Sequence, residues 1–61
     1  MEQEGIGEYI EFEDGAVYVD WYVEDEEVNI AYMTDHRGVR VPFSDPRRSR
    51  SRRIIRKRHL N

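Results

Sequence analysis

The 61-residue chain contains no cysteine, which excludes disulfide bonds, cysteine zinc ligands and thiol catalysis. It also has no apolar run near the roughly 18 residues of a membrane-spanning helix. Its first residues, Met1 to Glu4, are acidic and lack the basic-then-apolar order of a secretory signal. We therefore expect no membrane association and an intracellular protein, in the cytoplasm or in a host nucleoid or nucleus, that is not secreted.

The combinations of residues on which catalysis depends are also missing. His36 and His59 are the only histidines, and Asp35 adjoins His36 too closely in sequence to orient its ring as a base. The early glycines are not followed by the Gly-Lys-Ser/Thr of a phosphate loop, and the acidic run from Glu24 to Glu27 lacks the spacing of a calcium loop. These absences predict a protein that is not an enzyme and has no cofactor and no metal site.

Charge of both signs is abundant and is separated along the chain. Residues 1–45 contain all 13 acidic residues and two arginines, for a formal charge of −11, whereas residues 46–61 contain seven arginines, one lysine and no acid, for +8. A basic segment beside an acidic body is typical of an interaction tail. We therefore divide the chain into an acidic antiparallel β-sheet module (1–45) and a basic Arg-rich tail (46–61), which could form a short helix or an extra strand.

Alternating apolar and polar residues in the acidic part predict β-strands. Residues 17–24 alternate strictly, with valine or tryptophan at the odd positions, and residues 8–13 have isoleucine and phenylalanine at positions 10 and 12. Asp14-Gly15 between the two runs indicates a two-residue hairpin turn, because such a turn requires positive φ angles. The two runs are therefore predicted to form a hairpin.

The predicted turn pairs Phe12 with Val17. Charged loops at 24–27 and 35–38 then join two further strands and keep one apolar face throughout, which predicts a four-stranded antiparallel meander. Its core face carries Ile10, Phe12, Val17, Val19, Trp21, Val23, Val28, Ile30, Tyr32, Val39, Val41 and Phe43, with Ile6 as a further candidate.

An apolar sheet face of this size must be covered, because large apolar patches are uncommon on soluble monomers. The tail could cover it as a helix, residues 53–60 could close a small barrel as a last strand, or two copies could pack face to face. Ile54, Ile55 and Leu60 offer little apolar area for the tail alone, at roughly 25 cal/mol per Å². The predicted fold class is all-β, or β with one short C-terminal helix, with the meander curled or dimerised.

The opposite face of the predicted sheet combines tyrosines with carboxylates. Tyrosine and methionine are favoured in protein interfaces, while carboxylates repel a nucleic-acid backbone. The pattern also fits a half-exposed sheet without a binding role, since tyrosine is a good strand former. A basic protein is the partner that this face fits. The predicted protein-binding residues are Tyr9, Glu11, Tyr18, Asp20, Tyr22 and Met33.

Arginine dominates the basic tail. Asp45 and Pro46 suit the cap and first position of a helix, but repulsion between like charges disfavours an isolated helix. We expect a segment that is mobile or ordered only against an anionic surface, which could be DNA or RNA or the chain's own acidic sheet. The predicted nucleic-acid-binding residues are Arg47, Arg48, Arg50, Arg52, Arg53, Arg56, Lys57 and Arg58.

Together these features predict a small accessory protein that binds nucleic acid with low sequence specificity through its tail and makes protein contacts through its acidic sheet. The alternative is an inhibitor of the viral or mobile-element type, whose acidic face mimics nucleic acid and blocks a basic site on a target protein. A homodimer or a larger assembly is compatible with either prediction.

Overall fold

The computed structural model describes residues 6–60, in which three strands precede one helix. The elements are β1 (Ile6–Phe12), β2 (Gly15–Glu24), β3 (Glu27–Thr34) and α1 (Pro46–His59). The strands form one antiparallel sheet in the order β1-β2-β3. The fold is therefore mostly β with a C-terminal helix, which is one of the two predicted forms.

The first hairpin turns one residue earlier than predicted. Phe12 pairs with Gly15 rather than with Val17, so the two residues between Phe12 and Gly15 form the turn. Gly15 has a φ of +130°, and a side chain there would collide with the ring of His36. Glycine is therefore required at the first position of β2. The pairing moves by two residues, so the same side chains still face the core.

The second hairpin has the predicted register near its turn. Trp21 pairs with Ile30 as expected. The turn is shorter than the predicted four-residue loop, since it consists of Asp25 and Glu26 alone. Their φ values of 55° and 63° are those of a type I′ turn, which matches the twist of the two strands.

A β-bulge in β3 reverses the faces of the residues that follow it. The register shifts at Ala31, which has no partner on β2, and an extra residue on one strand shifts the alternation of side chains by one. Met33, predicted on the outer face, is consequently buried in the core opposite Val19. Tyr32, predicted in the core, is 40% exposed on the outer face.

The predicted fourth strand is absent from the described residues. Residues 39–43 include one residue of an isolated bridge to the end of β3, and Pro42 has no N–H with which to continue a ladder. Val41 is buried as predicted, but Val39 and Phe43 are 54% and 86% exposed. The meander therefore ends after three strands.

The helix begins where the sequence predicted a helix start. Asp45 is the N-cap, its Oδ1 accepts the backbone N–H of Arg47 at 2.9 Å, and Pro46 occupies the first helical turn. Basic residues in the last turn suit the negative end of the helix dipole. The segment thus forms a helix of 14 residues, where the sequence favoured a mobile tail. No helix within residues 6–60 combines the length and apolar character needed to cross a membrane.

This helix covers the apolar face of the sheet and completes the core. Ile55 is fully buried with Trp21, and Ile54 packs against the same cluster. The sheet is neither closed nor strongly curled. The helix covers its apolar face, which we expected to be covered by curling or by dimerisation. The side chain of Ile6 lies outside the described part of the chain. The core consists of Ile10, Val17, Val19, Trp21, Val28, Met33, Val41 and Ile55, bordered by Phe12, Val23, Ile30 and Ile54.

Candidate functional site

The outward side of α1 is a continuous basic surface. Ser51 and Ile55 are buried against the sheet, so residues about half a turn away face solvent, given 3.6 residues per turn. Six cationic side chains of the helix are exposed, and five of them take part in no ion pair within residues 6–60. These five are Arg50, Arg52, Arg53, Arg56 and Lys57, which we call the basic helix surface.

Arg47 turns back toward the start of the helix and does not join this surface. Its Nη2 lies 3.0 Å from Oδ2 of Asp45, its Nε donates to Oδ1 of Asp45 at 3.2 Å, and its Nη1 lies 3.6 Å from Oδ2 of Asp14. The side-chain hydrogen bond from Arg47 lowers the pKa of Asp45, and the same bond raises the pKa of Arg47. These contacts hold the start of α1 against the first hairpin turn.

Arg48 stacks on Phe43 beside β3. The guanidinium carbon lies 4.7 Å from the ring centroid, and Nη2 of Arg48 donates to the carbonyl oxygen of Ile30 at 3.4 Å. The sequence interpretation missed Phe43 as a surface residue because it placed the ring inside a strand. Pro42 immediately before it is the signal that could have indicated otherwise.

Arg58 and His59 join the end of α1 to β1 through Glu8. Nη1 of Arg58 lies 3.1 Å from Oε2 of Glu8, and Nε2 of His59 lies 2.9 Å from Oε1. The His59 ring lies 4.9 Å from the Trp21 ring, centroid to centroid. Three of the eight predicted nucleic-acid-binding cations therefore make contacts within the fold, and five lie on the basic helix surface.

The sheet face opposite α1 carries all four tyrosines. Tyr9 pairs with Tyr18, and Tyr32 pairs with Asp20. Directly paired residues of an antiparallel sheet share a face, and Tyr22 shares the face of Tyr18 because alternate residues of a strand do so. We call this set the acidic tyrosine face, which comprises Tyr9, Tyr18, Tyr22 and Tyr32 with Glu11 and Asp20.

The rings on this face contact one another and nearby groups. Tyr9 and Tyr18 meet edge to face with their centroids 5.2 Å apart. A side chain on Gly7 would collide with the Tyr18 ring, so this ring lies directly over the glycine. Arg40 places its guanidinium 4.9 Å from the centroid of Tyr32. Tyr9 nevertheless remains 69% exposed, so the face is ordered and still open to a partner.

Five of the six predicted protein-binding residues lie on the acidic tyrosine face. The exception is Met33, which the bulge at Ala31 turns into the core, while Tyr32 takes the outward position instead. Simple alternation cannot reveal such an exchange, because the bulge has no signature among the residues of β3 beyond the short side chain of Ala31.

The structure defines a small two-layer protein, a three-stranded sheet covered by one helix, with a basic surface and an acidic aromatic surface on opposite sides. Within residues 6–60, no three histidine or carboxylate side chains are grouped as a metal site requires. No protein-family model, characterised protein or solved structure matches the chain.

Proposed function

We propose that this chain is a small non-enzymatic accessory protein that binds nucleic acid with low sequence specificity through the basic helix surface. The observation that supports the proposal is the set of five exposed cations on α1, which have no ion pair among the described residues. Repulsion between like charges on one helix costs stability. A bound polyanion relieves this repulsion.

The chemistry of these side chains fits phosphates better than base edges. Four of the five are arginines, whose planar guanidinium groups make two parallel hydrogen bonds to phosphate oxygens. Phosphate contacts fix position but carry no sequence information. Each neutralised phosphate also releases counterions, so affinity falls steeply with salt. We therefore expect binding that combines low sequence specificity with strong salt dependence.

The rest of the fold holds the helix in place, which favours binding. Ile55 anchors it in the core and Asp45 caps its start, so little ordering entropy is lost when a partner arrives. This differs from arginine-rich segments that fold only on RNA. Arg50 and Lys57 lie seven residues apart, which is about 10 Å along a helix axis. The surface is therefore suited to a short stretch of backbone.

Replacing Arg53 and Lys57 together with glutamine tests the proposal. Both side chains are exposed and lie one helical turn apart, and glutamine keeps the helix propensity high. We expect weaker binding to a labelled single-stranded oligonucleotide, measured by fluorescence anisotropy between about 50 and 200 mM salt. The slope of log K against log salt is negative, and its magnitude should decrease by roughly 1.4, at about 0.7 for each lost phosphate contact.

The matched control removes the same charge away from the helix. Arg37→Gln with Arg40→Gln should leave the salt slope unchanged, because neither residue lies on α1. If the magnitude of the salt slope decreased equally in the two double variants, binding would depend on the total charge of the protein and not on the basic helix surface. Absence of binding by the wild-type protein at about 50 mM salt would overturn the proposal.

The acidic tyrosine face supports a second function, the binding of a basic protein. The observation that favours it is that one uncovered face carries four tyrosines beside carboxylates, with Tyr9 and Tyr32 exposed. Tyrosine is favoured at interfaces, and the carboxylates give specificity for positive charge. In an accessory protein this face recruits a partner. In the alternative, an inhibitor, its carboxylates imitate phosphates and block a basic site on a target.

A further inference from the structure

We infer that Phe43 and the groove beside it hold one unpaired base of a single-stranded nucleic acid. The inference rests on the proposed function, because the basic helix surface would bind the adjacent phosphates. It goes further by naming the form of the ligand: a strand with unstacked bases, rather than a duplex. Three features of the structure lead to it, namely the exposure of Phe43, its stacking partner and the lining of the groove.

Phe43 is a large apolar ring held almost entirely in solvent. It is 86% exposed, more than any other large apolar side chain of the described residues. Its backbone is nevertheless fixed, because the N–H of Asp45 donates to the carbonyl oxygen of Pro42 at 3.0 Å, and this turn leads directly into α1. The ring is therefore displayed at a defined place beside the helix.

One side of the Phe43 ring is occupied by a cation. The guanidinium carbon of Arg48 lies 4.7 Å from the ring centroid, and Arg48 is itself held by its hydrogen bond to Ile30. The exposed remainder of the ring is free to accept a flat ligand. A base stacked on an aromatic ring that is backed by arginine combines stacking with a cation–π contribution.

A groove of about 440 Å³ adjoins this ring, a volume within the usual range of small-ligand sites. Its lining extends from Ser49 and Arg52 of α1 to the Tyr22–Asn29 pair, which lies where β3 forms the edge of the sheet. The amide nitrogen of Asn29 donates to the carbonyl of Glu27 at 3.2 Å. This bond leaves the amide oxygen of Asn29 as an acceptor not used within the described residues.

The charges around the groove favour an anionic aromatic ligand. Arg48 and Arg52 both line it, and the basic helix surface continues beyond it. Asp45 also lines the groove, but Arg47 binds its carboxylate at 3.0 Å and offsets its charge. An aromatic platform beside cations is the arrangement by which proteins bind single strands. A duplex keeps its base faces stacked internally and offers none to Phe43.

Phe43→Ala tests the inference directly, with a labelled oligothymidylate or oligouridylate of about 12 nucleotides as the probe. We expect binding to weaken roughly 5- to 150-fold, the equivalent of about 1–3 kcal/mol for one stacked base. Binding to a duplex of the same length should change by less than about twofold, because it depends on phosphate contacts. If affinity falls for only one of the two oligonucleotides, that result assigns the site to DNA or to RNA.

Two further variants separate stacking from a change in structure. Val39→Ala shortens another exposed apolar side chain that does not line the groove, and it should bind single strands as the wild type does. Phe43→Trp keeps a stacking ring and should preserve affinity. Its exposed indole fluorescence should also be quenched by a bound base, while Trp21 stays buried.

The possible results distinguish failure of this inference from failure of the proposed function. If Phe43→Ala binds single strands normally while Arg53→Gln/Lys57→Gln does not, the stacking site is refuted and the proposed function stands. Equal weakening of duplex and single-strand binding by Phe43→Ala would also refute the stacking site. If the wild-type protein binds neither probe, the proposed function itself fails.

Discussion

Ser51 places a polar side chain in the contact between helix and sheet. It has no exposed area, and its Oγ has no hydrogen-bond partner among residues 6–60; the same is true of Nε1 of Trp21. A buried polar group without a partner costs about 1–3 kcal/mol. Both groups lie in the core that α1 completes, so the sequence retains two polar defects in its most buried layer.

Replacing Ser51 with alanine should stabilise the protein. The change removes a buried hydroxyl without a partner and raises helix propensity, so we expect a gain of about 1 kcal/mol in the free energy of unfolding. Urea denaturation followed by the fluorescence of Trp21 measures it. Ser49→Ala is the matched control, because Ser49 is exposed and its hydroxyl donates to the carbonyl of Pro46 at 3.2 Å. A Ser51→Ala protein less stable than the wild type would show that the hydroxyl has a partner in solution.

At the scale of the elements, the start of α1 makes the stability of the fold depend on pH. The hydrogen bond from Arg47 lowers the pKa of Asp45 below its ordinary value of 3.8. A carboxyl whose pKa is lower in the folded state stabilises the fold above its unfolded pKa, and this contribution disappears as the pH falls through the folded pKa. Asp35 behaves similarly, since the backbone N–H of Val39 lowers its pKa.

Asp45→Asn should therefore lower the melting temperature at pH 7, and the difference from the wild type should narrow below about pH 4. Asparagine keeps the capping hydrogen bond, so the variant removes the charge and the acceptor for Nη2 of Arg47 while the cap remains. Asp45→Ala removes both and should be the less stable of the two at every pH. Thermal unfolding followed by circular dichroism measures these differences. A gap between wild type and Asp45→Asn that stayed constant down to pH 2 would contradict the role of the ionised carboxylate.

The local elements and the register of the second hairpin near its turn could be predicted from the sequence, but the register of the first hairpin, the bulge in β3 and the end of the sheet after β3 could not. Alternation identifies β2 and its buried Trp21, and Asp45-Pro46 identifies the start of the helix. The exchange of Tyr32 and Met33 depends on a bulge whose cause is tertiary, since it lets Met33 enter the core. An isolated arginine helix is unstable, so its order here depends on contacts with the rest of the fold, including the burial of Ile55.

The candidate sites, like the fold, could be predicted only in part from the sequence. Composition and charge run identified the cations of the tail, and strand alternation identified most of the acidic tyrosine face. The sequence could not separate the outward cations from Arg47 and Arg58, because that depends on where the helix meets Asp14 and Glu8. Phe43 was missed for the same reason, since its exposure follows from the path of the chain after β3.

At the scale of the whole molecule, charge separation along the sequence becomes a separation of surfaces. α1 lies on one face of the sheet and the acidic tyrosine face on the other. Within residues 6–60, the ion pairs from the basic tail to the acidic strands and turns are those of Arg47 with Asp14 and of Arg58 with Glu8, and Nε2 of His59 also contacts Glu8. The tail therefore neutralises only a small part of the acidic body, and both surfaces remain exposed.

Deleting residues 46–61 does not separate the two proposed activities. The deletion removes Ile55 from the core and uncovers Trp21 and Val19, so a large apolar patch would be exposed to water. Loss of binding in such a truncated protein would report loss of the fold. Changes confined to exposed side chains on one surface are therefore required.

We expect the two surfaces to be separable by paired variants in a pull-down from cell lysate with and without nuclease. Arg53→Gln/Lys57→Gln should lose the material that nuclease also releases, because that material is held through nucleic acid on α1. Tyr9→Ala/Glu11→Lys changes two exposed positions of β1 and should lose any basic protein that survives nuclease, since it removes an anchor and reverses a charge. Each variant should leave the other class of partner in place. If a nuclease-resistant protein were lost from the helix variant and kept by the β1 variant, the assignment of protein binding to the acidic tyrosine face would be wrong, and α1 itself would be the protein-binding surface.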